Sequence, residues 1–218
     1  MRGRARGLLH GPMPSDRVLH LLGSAAEPVL GVRVAVGQAR ARGWDVCLGL
    51  TPTAADWLRD DLDGLAELTG HPVKSRFRRP GDPETWPAAD AVLVAPATFN
   101  TLNRWALGIT DNWVVGHAAE AIGTGVPLVA VPRVNSALAA HPQFGRSLAT
   151  LRAAGVDVLT NADGLPADGL PADGLPADGL PVDGLAPAPS GAGNAGFPWA
   201  AALAAVERAV APGRRGNG

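Results

Sequence analysis

Apolar residues along the chain fall in short blocks separated by turn-forming residues. The first block, Arg17-Val18-Leu19-His20-Leu21-Leu22, ends at Gly23-Ser24. A short run with no polar side to it is the pattern of a parallel strand covered on both faces. Residues 25–42 then carry helical spacing, with Pro28 in the first turn, Arg40 and Arg42 at the end and Gly43 as the stop. Residues 44–50 read as a second strand. Thr51-Pro52-Thr53 reads as a turn and as the N-cap of a helix from 54 to about 59, and residues 62–69 as another short helix closed by Gly70. Residues 72–77 predict a third strand and 78–87 a polar loop. Residues 91–95, Ala-Val-Leu-Val-Ala, form the clearest buried strand. Helices over 99–107 and 111–122, a strand over 127–131, a short helix or turn over 135–140, a helix over 142–154 and a last strand over 156–159 complete the alternation.

Strands that alternate with helices at this spacing predict an α/β fold, with a parallel sheet of about six strands between two helical layers and right-handed crossovers. The expected domain is 16–160. Residues 1–15, rich in Gly, Pro and Arg, read as a disordered lead or as a start placed too early. After 160 the pattern changes to a tandem pentapeptide, Ala-Asp-Gly-Leu-Pro, within 161–196. A period of five fits neither helix nor strand, so the segment is expected to be a disordered insertion. Its regularly spaced Asp residues lack the helper ligands of a calcium loop. Residues 197–211 resume as an amphipathic helix expected to pack on the domain, with Trp199, Leu203, Val206 and Val210 roughly on one face. Residues 212–218 are a tail.

Composition narrows the function classes. The formal net charge is -1 and 46% of residues are apolar, so no overall field attracts nucleic acid or an acidic membrane. No run of about 18 apolar residues predicts a membrane span. Cys47 is the only cysteine, which excludes an internal disulfide or a cysteine metal cluster, and a cytoplasmic location is expected. Lys74 is the only lysine and Tyr is absent.

Three strand-to-helix junctions carry candidate chemistry. Gly23-Ser24 permits a tight turn into a helix whose amides face an anion, though an ordinary turn has the same look. Thr51 and Thr53 stand where doubly wound sheets bind ligands, and equally where a plain cap would stand. Pro96-Ala97-Thr98-Phe99-Asn100-Thr101 is more specific: proline ends the strand, and three polar side chains open the next helix.

The run from Val92 to Thr101, continued by Trp105-Ala106-Leu107-Gly108-Ile109-Thr110-Asp111-Asn112, resembles the homo-oligomeric flavin-containing cysteine decarboxylases. These carry a Pro-Ala-Ser-Ala-Asn-Thr-like motif and then a helix ending in Gly-x-x-Asp-Asn. The Gly23-Ser24 and Thr51-Pro52-Thr53-Ala54 turns match in order and spacing, and the likeness covers about 17–159. The resemblance implies a flavodoxin-like fold with FMN in a crevice between subunits, assembled as trimers or multiples of them. It places Gly23 and Ser24 at the FMN phosphate, with Thr51 and Thr53 nearby. Pro96, Ala97, Thr98, Asn100 and Thr101 line the flavin. Asp111 and Asn112 shape the subunit contact, with Trp105 or Trp113 either interface aromatics or core residues.

The motif also departs from the family. The family's histidine upstream of the proline falls at Asp82, a weak catalytic candidate in a Gly-Asp-Pro turn. The family's Pro-x-Met-Asn signature becomes Pro132-Arg133-Val134-Asn135, which keeps the Asn135 implied to contact substrate. Arg133 and His141 are candidate substrate contacts, or a surface arginine and a capping histidine. The family's flap cysteine has no counterpart, and Cys47 lies inside a strand. The implied function is a flavin-dependent decarboxylase-like enzyme acting on a small or peptidyl thiol or carboxylate. The alternatives are a flavin-binding protein without decarboxylase activity or, ranked last, a flavin prenyltransferase.

Overall fold

The computed structural model describes residues 17–159 and 197–211. The lead, the pentapeptide segment and the tail lie outside the described residues. Five strands form one parallel sheet in the order β2-β1-β3-β4-β5: β1 (Arg17–Gly23), β2 (Trp44–Leu50), β3 (Ala91–Ala97), β4 (Leu128–Pro132) and β5 (Asp157–Val158). This is the flavodoxin-like order. The expected strand at 72–77 shrinks to a single bridge, Gly49 with Lys74 on the β2 edge. Pro72 has no amide to donate, and the chain bends at Arg76, so no ladder grows there.

The strands are buried on both faces, and alternate residues feed two cores. Leu19, Leu21, Val46, Leu48, Leu93 and Val129 face one layer, made of α1 (Val32–Ala41), α3 (Leu62–Thr69) and α8 (Trp199–Val210). Leu22, Val92, Val94 and Ala130 face the other, made of α4 (Phe99–Ala106), α5 (Trp113–Thr124) and α7 (Pro142–Ala153). Each fully buried Leu or Val side chain among these contributes about 1.5–3 kcal/mol.

The first predicted helix begins instead as a 3-10 turn, Glu27–Gly31, which runs into α1. Pro28 supplies no amide in the first turn, which fits the tighter start. Gly70 ends α3 with φ +79°, the left-handed conformation that glycine adopts without cost. Two further short helices, α2 (Pro52–Trp57) and α6 (Ser136–Ala139), follow β2 and β4 directly. Among the described residues no helix is long and apolar enough to cross a membrane.

Candidate functional site

The strand order reverses between β1 and β3, and in doubly wound sheets ligands lie outside the carboxyl ends of the strands at that point. The Ser24 side chain ties the two ends together here. Its Oγ donates to the Pro96 carbonyl at 2.6 Å and accepts the Thr98 amide at 2.9 Å. The Ser24 amide also donates to the Pro96 carbonyl, at 3.0 Å. With its hydroxyl proton committed within the chain, Ser24 works as a latch rather than as an open donor. The Ala95–Pro96 bond is cis. Gly23 lies beneath Val29 and Leu50, where a Cβ would come within 2.9 Å and 3.1 Å of their methyl carbons.

The Thr51 amide donates to the Gly23 carbonyl at 2.9 Å, which brings the end of β2 to the same edge. Thr51 is the N-cap residue of α2, yet its side chain makes no capping bond. Its Oγ1 is buried and has no partner. A buried hydroxyl without a partner costs about 1–3 kcal/mol, which a polar group bound at this edge would recover. Thr98 caps α4, with Oγ1 accepting from the Thr101 amide and lying 3.0 Å from Thr101 Oγ1. The amides of Phe99 and Asn100, in the first helical turn, have no intrahelical acceptor. Asn100 and Thr53 are exposed in the first turns of α4 and α2. The edge thus offers donors at a helix start and one unsatisfied hydroxyl, a set that suits an anionic group.

The remaining sequence candidates divide. The Arg133 amide donates to the Ala97 carbonyl at 2.8 Å, so the end of β4 joins the edge. Asn135 is exposed and caps α6 through Oδ1, 2.9 Å from the Leu138 amide. His141 caps α7, with Nδ1 accepting from the Gln143 amide at 3.1 Å, and its ring meets Phe99 edge-on at 5.5 Å. Asp82 is different. It is exposed, its Oδ2 closes a turn on the Arg79 amide at 2.9 Å, and no bond links it to the strand ends. Trp105 is buried in the second core, and the partly buried Trp113 packs over Gly49 and against His117. Burial, and then Asp45, push the Cys47 thiol up to about 12, which makes it a small apolar side chain.

A cluster below this edge was not visible in the sequence. His20 Nδ1 and His117 Nε2 lie 2.7 Å apart, and His20 Nε2 is 3.0 Å from the Pro87 carbonyl. A carbonyl only accepts, so His20 carries its proton on Nε2 and accepts from His117 through Nδ1. Trp86 and Trp113 flank the pair, with Trp113 stacked on His117 at 4.8 Å. Lys74 Nζ lies 4.6 Å from the centre of the Trp86 ring and pairs with Glu84. The Lys74 hydrogen bond, and then the Trp86 amide, hold the Glu84 carboxyl down at about 2. The only sequence signal was a histidine inside an apolar strand, which by itself reads as core.

The family model described as Flavoprotein matches residues 29–177. A cysteine/cysteine sulfinic acid decarboxylase of an unknown prokaryotic organism is 29% identical over 107 residues, covering 46% of this chain and 29% of that relative. The chain therefore spans less than a third of the length of that curated relative. Among solved structures, the FMN-dependent cysteine decarboxylase TvaF from thioviridamide biosynthesis superposes with a TM-score of 0.55 at 29% identity, over 66% of this chain and 90% of its own. The cypemycin decarboxylase CypD superposes with a TM-score of 0.61 at 19% identity, over 92% and 97%, a likeness of fold. The chain is homologous to FMN-dependent cysteine decarboxylases, and with most of its length matched by the family model it belongs to the flavoprotein family.

Proposed function

We propose that the chain binds FMN at the edge where β1, β2 and β3 end, and acts as a flavin-dependent, decarboxylase-like enzyme on a cysteine-bearing peptide or a small thiol or carboxylate. The observation that carries this reading is the buried, unpartnered Thr51 Oγ1, set beside Gly23 on the edge where α4 begins. Thr51, with Thr53 near it, serves the phosphate end. Gly23 and Ser24 contribute backbone and a fixed turn, since the Ser24 hydroxyl holds Pro96 and Thr98. Pro96, Ala97, Thr98, Asn100 and Thr101 border the ring. FMN supplies the redox chemistry when bound. Asn135, its Oδ1 held by Leu138, donates its amide hydrogens to a substrate carboxylate, and Arg133 and His141 flank the same end of β4.

A second reading, flavin binding without decarboxylation, draws on Asp82. The position that a histidine holds in the family carries here an exposed carboxylate already spent on a turn. A carboxylate also repels electron density on a reduced ring. The assembly proposed for the chain is a homo-oligomer, a trimer or a multiple of one. The exposed Leu107 and Ile109, between α4 and α5, offer apolar surface for that contact.

Purified protein is expected to be yellow and to release FMN on denaturation; a colourless protein that takes up no FMN overturns the proposal. Bleaching of the flavin absorbance by a cysteine-ended peptide, with release of carbon dioxide, selects the enzyme over the second reading. Asn100→Ala is expected to weaken FMN retention more than Asp82→Ala, and equal losses would remove the distinction between those sites.

A further inference from the structure

Residues 75–83 leave the candidate site as a loop with a closed base. The Lys74 amide donates to the Leu48 carbonyl at 3.1 Å and its carbonyl accepts the Leu50 amide at 2.8 Å, one residue before Thr51. Across the base, Lys74 pairs with Glu84, whose Oε1 also accepts the Thr85 and Trp86 amides. The Trp86 indole donates to the Pro72 carbonyl at 2.9 Å. The loop is thus fastened at both ends beside the site.

Its charges are unequally spent. The two nearby acids are engaged locally: Asp82 Oδ2 accepts the Arg79 amide and keeps its charge, and Glu84 pairs with Lys74 and, at 3.7 Å, Arg78 Nε. Arg78 also donates to the Asp82 carbonyl. Arg76 and Arg79 are exposed, and among the described residues their guanidinium groups have no acidic partner. Phe77, between Arg76 and Arg78, is 56% exposed, although one edge of its ring approaches Gly116 of α5. The chain as a whole carries a net charge of -1, so this is a local basic and aromatic surface on a neutral molecule.

We propose that Arg76, Phe77 and Arg79 form a docking surface for an acidic peptide segment, whose reacting end then lies at the neighbouring strand-end site. Use of the surface as an extension of the active site rests on the function proposed above; the docking itself does not. Two guanidiniums suit two carboxylates through paired N–H donors, and the phenyl ring covers an apolar side chain between them. Two open cations are too few for a nucleic acid, whose binding grows with the number of phosphates neutralised.

The test uses the full chain and a fluorescein-labelled, glutamate-rich peptide ending in cysteine, followed by fluorescence anisotropy, with FMN uptake measured on the same samples. Binding is expected to weaken about tenfold in Arg76→Glu/Arg79→Glu and to fall with added salt, while FMN uptake is unchanged. Phe77→Ala should weaken binding without altering its salt dependence, and a lysine-rich peptide should not bind. Unchanged affinity in the double variant overturns the proposal. So does stronger binding of a single-stranded RNA than of the peptide. A change of oligomeric state in the double variant, with no peptide bound by the parent protein, assigns the surface to contact between copies and also overturns it. Peptide binding by a protein that takes up no FMN keeps the docking surface and removes the cofactor site.

Discussion

His20 is kept neutral by what packs around it, and that sets the response of the fold to mild acid. Burial first, and then the neighbouring His117, lower its pKa from 6.5 to about 4; Lys74 acts in the same sense, while Pro87 and Glu84 oppose. Burial lowers His117 as well. The unfolded chain therefore takes up a proton as pH falls through 6.5, whereas the native chain resists until about 4. The stability contributed is fully present above pH 6.5 and is lost progressively between 6.5 and 4. A gap of that width corresponds to about 3 kcal/mol from His20 alone. Geometry gives the same sign: a proton added at Nδ1 would face the His117 N–H across 2.7 Å. Glu84 acts lower, because its contribution is lost as pH falls from 4.5 through about 2. Urea unfolding at a series of pH values should show a plateau above 6.5 and then a decline. In His20→Gln the amide keeps a hydrogen bond to Pro87 without titrating, and the decline should flatten by about 3 kcal/mol, on a lower plateau. Equal slopes in the two proteins would refute the reasoning.

Other substitutions probe the site and its floor. Thr51→Val removes a buried hydroxyl without a partner, so the cofactor-free protein should be unchanged or about 1 kcal/mol more stable, while FMN dissociates faster; thermal melts and flavin release read the two effects. Ser24→Ala strips the Thr98 amide of its acceptor and should cost about 2 kcal/mol in denaturant titrations. Gly49→Ala places a Cβ 2.6 Å from the Trp113 ring and 2.7 Å from Leu22 Cδ2, and should cost about 1–3 kcal/mol by the same assay.

The central strands were legible because a parallel strand buried on both sides is apolar along nearly its whole length, as in 91–95 and, apart from His20, in 18–22. The Pro96–Thr101 junction was legible because a proline and a cluster of hydroxyl and amide side chains follow one of those strands. What the linear pattern hides is pairing between distant segments. His20 and His117 meet only because β1 and α5 share a face of the sheet. Gly49 looks like a flaw in β2 until the Trp113 ring is seen to fill the space its missing side chain leaves. The strand expected at 72–77 failed for a different reason: Pro72 lacks the amide a ladder needs and the chain bends at Arg76, so only the bridge at Lys74 forms.

Because Lys74 is the chain's sole lysine, its clasp with Glu84 gives a single chemical clock. The ammonium is 14% exposed at the side chain and held by the carboxylate, so an acylating reagent reaches it chiefly when the base of the 75–83 loop comes apart. Apart from the chain's amino terminus, acylation can add only one tag of this kind. The rate at which intact-protein mass gains that second tag counts how often the loop lets go, and a ligand that grips the loop should slow it.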